Sequence, residues 1–391
     1  MSKARDYLTE QFSVTFQQQP DFMLSCGGRF EVLGNHTDHN HGLCMAATCN
    51  LNIYGAFKKR EDNEIHLLSE GFGFSNIDLS TLDKDDDEVG KPVSLIRGIA
   101  KYFTDLNYEF KGLDIYIASR IPSGVGVSSS AAFELLIAQA FNVAFNNKKI
   151  PLMDLCKAGQ YAEKNYYGKM CGLQDQIGVS HGGLTAIDFN DVINPKVKNL
   201  HINLDGYQFI IVDTGGSHAE LSDLYKSIPD DMYNVANVFG KQYLRDEDVD
   251  QVKENKASVI EKCGKKAYQR SVHFYDENER VEKALKALER DDIERLIKLI
   301  NQSRESSTEL LENMCVDGKV KGSPLEACKL VMKASHDKAG VKINGGGFAG
   351  AVIALVPESE LDNVVKAAKE KYGKDNVYAT SIRNEIPSEI E

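Results

Sequence analysis

The chain has no tryptophan, so tyrosine dominates its near-ultraviolet absorbance. It has no CxxC pair and no zinc-type spacing among its eight cysteines, at positions 26, 44, 49, 156, 171, 263, 315 and 328. That excludes the common structural zinc modules and leaves reduced, mostly packed thiols as the expectation. It has no run of about 18 apolar residues that would suggest a membrane span. The opening residues, MSKARDYLTEQF, lack the apolar core of a signal peptide, so a cytoplasmic protein is expected. Basic residues are in the minority: 46 Lys and Arg stand against 58 Asp and Glu, a net charge of −12. This balance argues against general binding to nucleic acid or an anionic membrane, though not against a local basic pocket. Short repeats and long low-complexity segments are absent too.

What remains is ordinary globular material. The 391 residues, 42% hydrophobic and 27% charged, suffice for two or three domains. Residues 44–58 and 113–119 read as strands, with β-branched and aromatic enrichment. Residues 93–104 and 131–145 read as helices, and Pro151 opens another that runs to about Tyr166. QFIIVDT (208–214) is a buried-strand pattern. Polar, helix-forming sequence dominates from about 219 to 314. VKINGGGFAGAVIALV (341–356) reads as strand, glycine turn, strand. A helix at 358–372 and a strand at 376–383 follow. The expected fold class is α+β, in two domains spanning 1–195 and 196–391.

The most informative stretch is IPSGVGVSSSAA, residues 121–132. Glycines let backbone approach a bulky anion. The serines that follow can cap a helix whose first N–H groups, aided by its dipole, favour negative charge. Pro122, Ser123, Gly124, Val125, Gly126, Val127, Ser128, Ser129 and Ser130 therefore form a candidate phosphate cradle. A capped turn is the plainer alternative. No Gly-Lys-Ser/Thr closes the loop, so it is not the usual P-loop.

Three further segments carry chemistry. CGGRFEVLGNHTDHNHG (26–42) gathers Arg29, Glu31, Asn35, His36, Asp38, His39 and His41 among glycines. A metal site, a solvated turn and a polar pocket for a hydroxyl-rich ligand are all open, and convergent donors and acceptors favour the pocket. AEKNYYGKMCGLQDQIGVSHGG (162–183) places Asp175 between Gly172 and Gly178, with Glu163 twelve residues earlier. Asp175 matters if it meets Arg29, which would hold it ionised and ready to accept a proton. Glu163 suits Mg²⁺, or is a helix-surface charge. NGGGFAG (344–350) is a tight hairpin or a place of close backbone approach.

In this order these segments resemble the GHMP sugar kinases, most closely the galactokinase family. The family pattern GRxNLIGEHTDYxxG stands here as GRFEVLGNHTDHNHG, PxGxGLSSSAA as PSGVGVSSSAA, CGIMDQ as CGLQDQ, and GGGFGG as GGGFAG. DTGGSHAELSDLY (213–225) resembles the strand and loop carrying a sugar-contacting tyrosine. The resemblance implies a two-domain fold with ATP and sugar in the cleft between domains. It implies phosphorylation of a sugar at its C1 hydroxyl. Asp175 would be the catalytic carboxylate and Arg29 its partner. Asn35, His36, Asp38, Gly172 and Tyr225 would bind the sugar. The loop 122–130 would hold the nucleotide, with Ser130 and Glu163 at Mg²⁺. The expected partners are thus ATP and a small sugar, with the chain a monomer or weak homo-oligomer.

The chain departs from the pattern. Glutamate in GEH is Asn35, asparagine after the arginine is Glu31, and tyrosine after TD is His39. Gly27 replaces the proline before GR, Arg304 stands for a histidine, and no aromatic-rich adenine region precedes the second motif. Loss of the carboxylate at 35 would relax selection at C6 of the sugar, unless Glu31 restores it. A galacturonate or N-acetylgalactosamine kinase, or a silent sugar sensor, stand as alternatives. The presence of Arg29, Asp175, Glu163 and an uninterrupted SSSAA argues against the sensor.

Overall fold

The computed structural model describes residues 2–122, 125–216 and 221–390. The first half runs α1 (Ser2–Phe16), β1 (Phe22–Leu33), β2 (Leu43–Lys59), β3 (Glu64–Ser69), β4 (Gly73–Asp78), α2 (Pro92–Asp105), β5 (Leu113–Ser119), α3 (Ser129–Phe145), α4 (Leu152–Ala162), α5 (Gln174–Ser180), β6 (Leu184–Asp188) and β7 (Lys196–Leu200). The second runs β8 (Tyr207–Asp213), α6 (Ser222–Val238), α7 (Val249–Glu254), α8 (Lys256–Cys263), α9 (Lys265–Leu288), α10 (Ile293–Ser306), α11 (Pro324–Ala334), β9 (Gly340–Ile343), β10 (Ala351–Pro357), α12 (Glu358–Tyr372), β11 (Val377–Thr380) and β12 (Ser388–Glu389).

Two sheets organise the chain. The first has the order β12-β1-β2-β5-β3-β4, with β6 pairing β2 and β7. The second is β11-β8-β10-β9, with every pairing antiparallel. The strand β10, AVIALVP, is buried at all but its last residue, which explains its unbroken apolar pattern. The helix α3 is apolar almost all round because it is buried between β1 and β2 on one side and α4 and α5 on the others, as a helix covered on all sides must be. The rings of Phe30 (β1) and Phe209 (β8) meet at 4.6 Å and join the two sheets. Truncating a buried phenylalanine to alanine typically costs about 3–5 kcal/mol.

Several expectations need correction at their edges. The helix expected at 358–372 spans those residues, with Glu358 and Glu360 in its first turn and Lys369 and Lys371 in its last, each complementing the helix dipole. The strand expected at 376–383 is only Val377–Thr380. Beyond it Ile382 bridges to Cys49, and Arg383 donates to Asn52 Oδ1 at 2.6 Å and Ser25 O at 3.1 Å. The chain has by then left the second sheet for the first, where β12 pairs with β1. Pro151 sits at the N-cap of α4 and not within its first turn. That helix gives way at Ala162 to a π-type turn over Glu163–Tyr167, a feature frequent at functional sites.

Candidate active site

The first element of the site is a distorted strand. The register between β1 and β2 shifts between Gly27 and Arg29, and again between Glu31 and Leu33. Such irregularities re-aim side chains. Arg29 lies between the two shifts, and its own N–H donates to Val127 O at 2.9 Å. Its guanidinium reaches Asp175 Oδ1 through Nε at 2.9 Å and through its second terminal nitrogen at 2.7 Å. The remaining nitrogen donates to Gly126 O at 2.7 Å. The sequence-level condition for Asp175, that it meet Arg29, is met.

Asp175 sits in the first turn of α5. Its other oxygen, Oδ2, accepts from Ser128 Oγ at 2.7 Å. Burial alone would push this carboxyl up, but Arg29, Lys169 and the Ser128 hydroxyl outweigh it and hold it below the usual carboxylate range. Opposite charge and hydrogen bonds to the charged form both act this way. A quarter of the Asp175 side chain stays exposed, against 7% for Arg29. The carboxylate is ionised, oriented and reachable.

Ser128 overturns one expectation. It occupies the N-cap of α3 in a left-handed conformation, φ 58°, yet makes no side-chain cap. Its hydroxyl goes to Asp175 instead. The first-turn N–H groups of α3 are therefore left without a side-chain cap. Ser129 is exposed. Ser130 Oγ donates to Glu163 Oε1 at 2.8 Å. Val125 and Val127 are buried and anchor the loop to the core. Pro122 is half-buried, and Ser123 and Gly124 lie outside the described residues.

Glu163 is not a helix-surface charge, because it is fully buried. The oxygen that accepts from Ser130 also pairs with Lys169 Nζ at 2.7 Å. Its second oxygen accepts from Gln176 Nε2 at 3.2 Å, and that amide also donates to Glu134 Oε2 at 2.9 Å. Burial, then the neighbouring Glu163, push the Glu134 carboxyl well above its ordinary range.

The glycine turn at 344–350 closes the site from the second sheet. Asn344 Nδ2 donates to Gly126 O at 3.0 Å, so one carbonyl of the glycine-serine loop ties both Arg29 and this turn. Asn35 Nδ2 donates to Gly345 O at 2.8 Å and His36 Nε2 to Gly346 O at 2.8 Å. A Cβ at Gly346 would strike the Tyr225 ring, and one at Gly347, φ 90°, would strike Asn313. The glycines are there for close approach. Tyr225 lies over the turn and donates to Gly347 O at 2.7 Å.

Around the first motif the residues converge unequally. Asp38 lies against Gly172, where a Cβ would fall on Asp38 Oδ2. Burial, with Asp175 and Glu31 nearby, raises its carboxyl to about 6. His36 is held neutral by burial and stands at φ 57°. Asn35 is almost fully buried and its amide is engaged by protein. It donates to Glu31 Oε1 at 2.9 Å and accepts from Asn313 Nδ2 at 2.9 Å. Glu31 thus brings a carboxylate within hydrogen-bond reach of position 35. It forms a buried ion pair with Lys342 at 2.6 Å. The three histidines part company: His36 joins Gly346, His39 Nδ1 accepts from Asn40 at 2.9 Å, and His41 stacks on Tyr243 at 3.7 Å.

Three contributors escaped the sequence, and Ser128 was legible there only as part of a loop, 47 residues from its partner. Lys169 and Lys342 carry no motif. Glu277 of α9 accepts from the N–H of Gly34 at 3.0 Å and from Ser303 Oγ at 2.6 Å. Burial would raise its carboxyl, but Arg280, His273 and Lys342 bring it to about 2.

Comparison with known proteins points one way. The model for the GHMP kinases N terminal domain matches residues 94–183, and that for the GHMP kinases C terminal matches 284–374. The galactokinase galactose-binding signature matches 10–59. A galactokinase of Clostridium tetani is 30% identical over 358 residues, 89% of this chain and 87% of its own. One of Glaesserella parasuis is 29% identical over 373 residues, covering 93% and 92%. Among solved structures, the Lactococcus lactis galactokinase complexed with galactose superposes with a TM-score of 0.85 at 24% identity, over 99% of this chain and 100% of that one. A Methanococcus jannaschii mevalonate kinase reaches 0.66 at 18% identity, over 93% and 98%.

Proposed function

The chain belongs to the galactokinase family of GHMP kinases, and from that premise we propose that it phosphorylates the C1 hydroxyl of galactose with ATP, giving galactose 1-phosphate and ADP. The observation that carries the chemistry is Asp175, clamped between Arg29 and Ser128 while part of it faces the cleft. The C1 oxygen attacks the γ-phosphorus and a P–O bond forms. The bond to the ADP oxygen breaks, and the hydroxyl proton passes to Asp175. A carboxyl held below its usual range is a weak base. Its first task is to orient the hydroxyl, and it takes the proton as the P–O bond forms. A loose phosphoryl transfer asks for little more than positioning and charge stabilisation. Arg29 supplies charge beside the transferring group.

Galactose is held by His36, Asp38, the backbone at Gly172 and the Tyr225 ring, with Asn35 fixing the wall behind them. The loop 122–130 and the uncapped start of α3 hold the nucleotide phosphates. Ser130 Oγ and Glu163 Oε1 lie 2.8 Å apart, and that carboxylate already draws a cation, Lys169. The pair fits Mg²⁺, which takes one or two protein oxygens beside phosphate. When bound, the ion would neutralise charge on the phosphate oxygens. In this reading residues 1–195 carry the phosphate loop and catalytic carboxylate, and 196–391 carry the glycine turn, although β7 and β12 hydrogen-bond into the first sheet. A cytoplasmic site suits eight free thiols and a reaction that consumes ATP. No helix among the described residues is long and apolar enough to cross a membrane.

The test is ADP formation across galactose, galacturonate and N-acetylgalactosamine. Galactose should give the highest kcat/KM. A higher value for either other sugar would reassign the substrate.

A further inference from the structure

Lys169 is a cation that the mechanism above leaves idle. It sits on the loop after the π-type turn, five residues before the start of α5. Its backbone is pinned, since the N–H groups of Gly168 and Lys169 both donate to Glu163 O at 3.0 Å. Its side chain is not pinned to the same degree: half of it is exposed, while the carboxylate it meets is fully buried. It shares Glu163 Oε1 with Ser130 Oγ. So the ammonium stands at the mouth of the pair proposed to face the nucleotide. From there its charge also reaches Asp175 and Tyr225.

We propose that Lys169 is a further catalytic residue, which leaves Glu163 for the γ-phosphoryl group when a nucleoside triphosphate binds. The proposal rests on the kinase reading of this cleft. Three arguments support it. First, the Glu163 oxygen cannot serve both an ammonium and a metal ion at full strength, so a metal arriving there displaces a cation whose half-exposed side chain is free to move. Second, the transferring group carries charge on three oxygens, and Arg29 is already committed to Asp175 and Gly126 O. Third, a four-carbon stem with a compact charge suits a short swing between two anions. Burial would lower the pKa of this lysine, but Glu163 and Asp175 more than offset that.

The experiment uses the full chain with Lys169→Met and Lys169→Arg. Calorimetric binding of ADP and of a non-hydrolysable ATP analogue is measured with and without Mg²⁺. Lys169→Met should weaken the triphosphate analogue by about tenfold, ADP by less than twofold, and Lys169→Arg should recover most of the loss. In turnover, kcat should fall at least tenfold while KM for galactose holds. Equal losses for ADP and the analogue, or no loss for either, would overturn the proposal. So would an unchanged kcat at saturating Mg²⁺, which is what a lysine that merely neutralises Glu163 would give. If the wild-type chain phosphorylates no galactose-like sugar but shows the Lys169-dependent preference for triphosphate, the functional reading fails and this one stands.

Discussion

Two carboxylates in this molecule are built alike and behave differently. Asp175 meets Arg29 at 2.7 Å and a hydroxyl, Ser128 Oγ. Glu31 meets Lys342 at 2.6 Å and an amide, Asn35 Nδ2. Each pair ties separate parts of the chain together. The difference is water. The Asp175 side chain is 25% exposed, whereas Glu31 and Lys342 are 4% and 0% exposed. Pairing with a cation therefore does not mark a functional carboxylate. What sets Asp175 apart is that it is ionised while its partners leave one side open. The sealed pair instead fixes how the first motif sits against β9 and its glycine turn.

The comparison is broken most severely by Asp175→Ala. Losing a positioned acid–base group costs about 10²–10⁴-fold in rate, and the stranded Arg29 keeps only its bond to Gly126 O, so kcat is read on the folded fraction. The folded variant should still bind nucleotide. Retention of more than about a tenth of wild-type kcat would take the chemistry away from Asp175.

The opposite outcome is expected at the sealed pair. Glu31→Gln strands the Lys342 ammonium in the interior, and breaking a buried pair costs about 3–5 kcal/mol. The denaturant midpoint should fall steeply, while Glu31→Gln with Lys342→Met recovers much of the loss. A Glu31→Gln chain as stable as wild type would mean that water or another group reaches Lys342.

Ser128→Ala sharpens the contrast. A hydrogen bond to a charged group is worth about 1.5–3 kcal/mol, so kcat should drop roughly tenfold or more. The sign with pH follows from the shift. Asp175 is depressed, so the proton returns only as pH falls below the usual carboxylate range. Removing Ser128 Oγ raises that point, and the acid limb of the kcat profile should move to higher pH. An unmoved acid limb would show that another group titrates there.

The smallest effect concerns position 35. Asn35→Glu alone sets two carboxylates side by side, costing about 4 kcal/mol at about 4 Å and an effective dielectric near 20. The exchange Glu31→Asn with Asn35→Glu restores a single carboxylate, which has to take over the pairing with Lys342 for the chain to fold. It should change the ratio of kcat/KM for galactose over 6-deoxygalactose by a few-fold. Identical ratios in the folded double variant would remove this region from sugar selection.

Local patterns were legible where chemistry is local. The helix at 358–372 ends at Gly373, φ 93°, and its charges follow its dipole, so its bounds could be read directly. Strands 44–58 and 113–119 and the order of the motifs were equally open to reading. The serine cap was misread because Ser128 has a stronger, ionised partner 47 residues away, which no local rule contains. The last strand was overextended because residues 381–383 bind the first sheet. Glu163 looked like a surface charge because its turn packs on α2 and its carboxylate is held by Ser130 of α3 and Gln176 of α5, all distant in sequence. Candidate residues Ser123 and Gly124 lie outside the described residues.

By itself, then, the sequence determined the inventory: a glycine-serine loop before an apolar helix, an arginine and an aspartate worth pairing, a second glycine turn, and their order. Those are encoded by residue types within a few positions of each other. The tertiary structure decided which carboxylate stays open to solvent, which is sealed, and which hydroxyl abandons its helix for Asp175. Exposure and pairing across 47, 146 or 311 residues depend on how the sheets and helices close over one another. No segment carries that information alone.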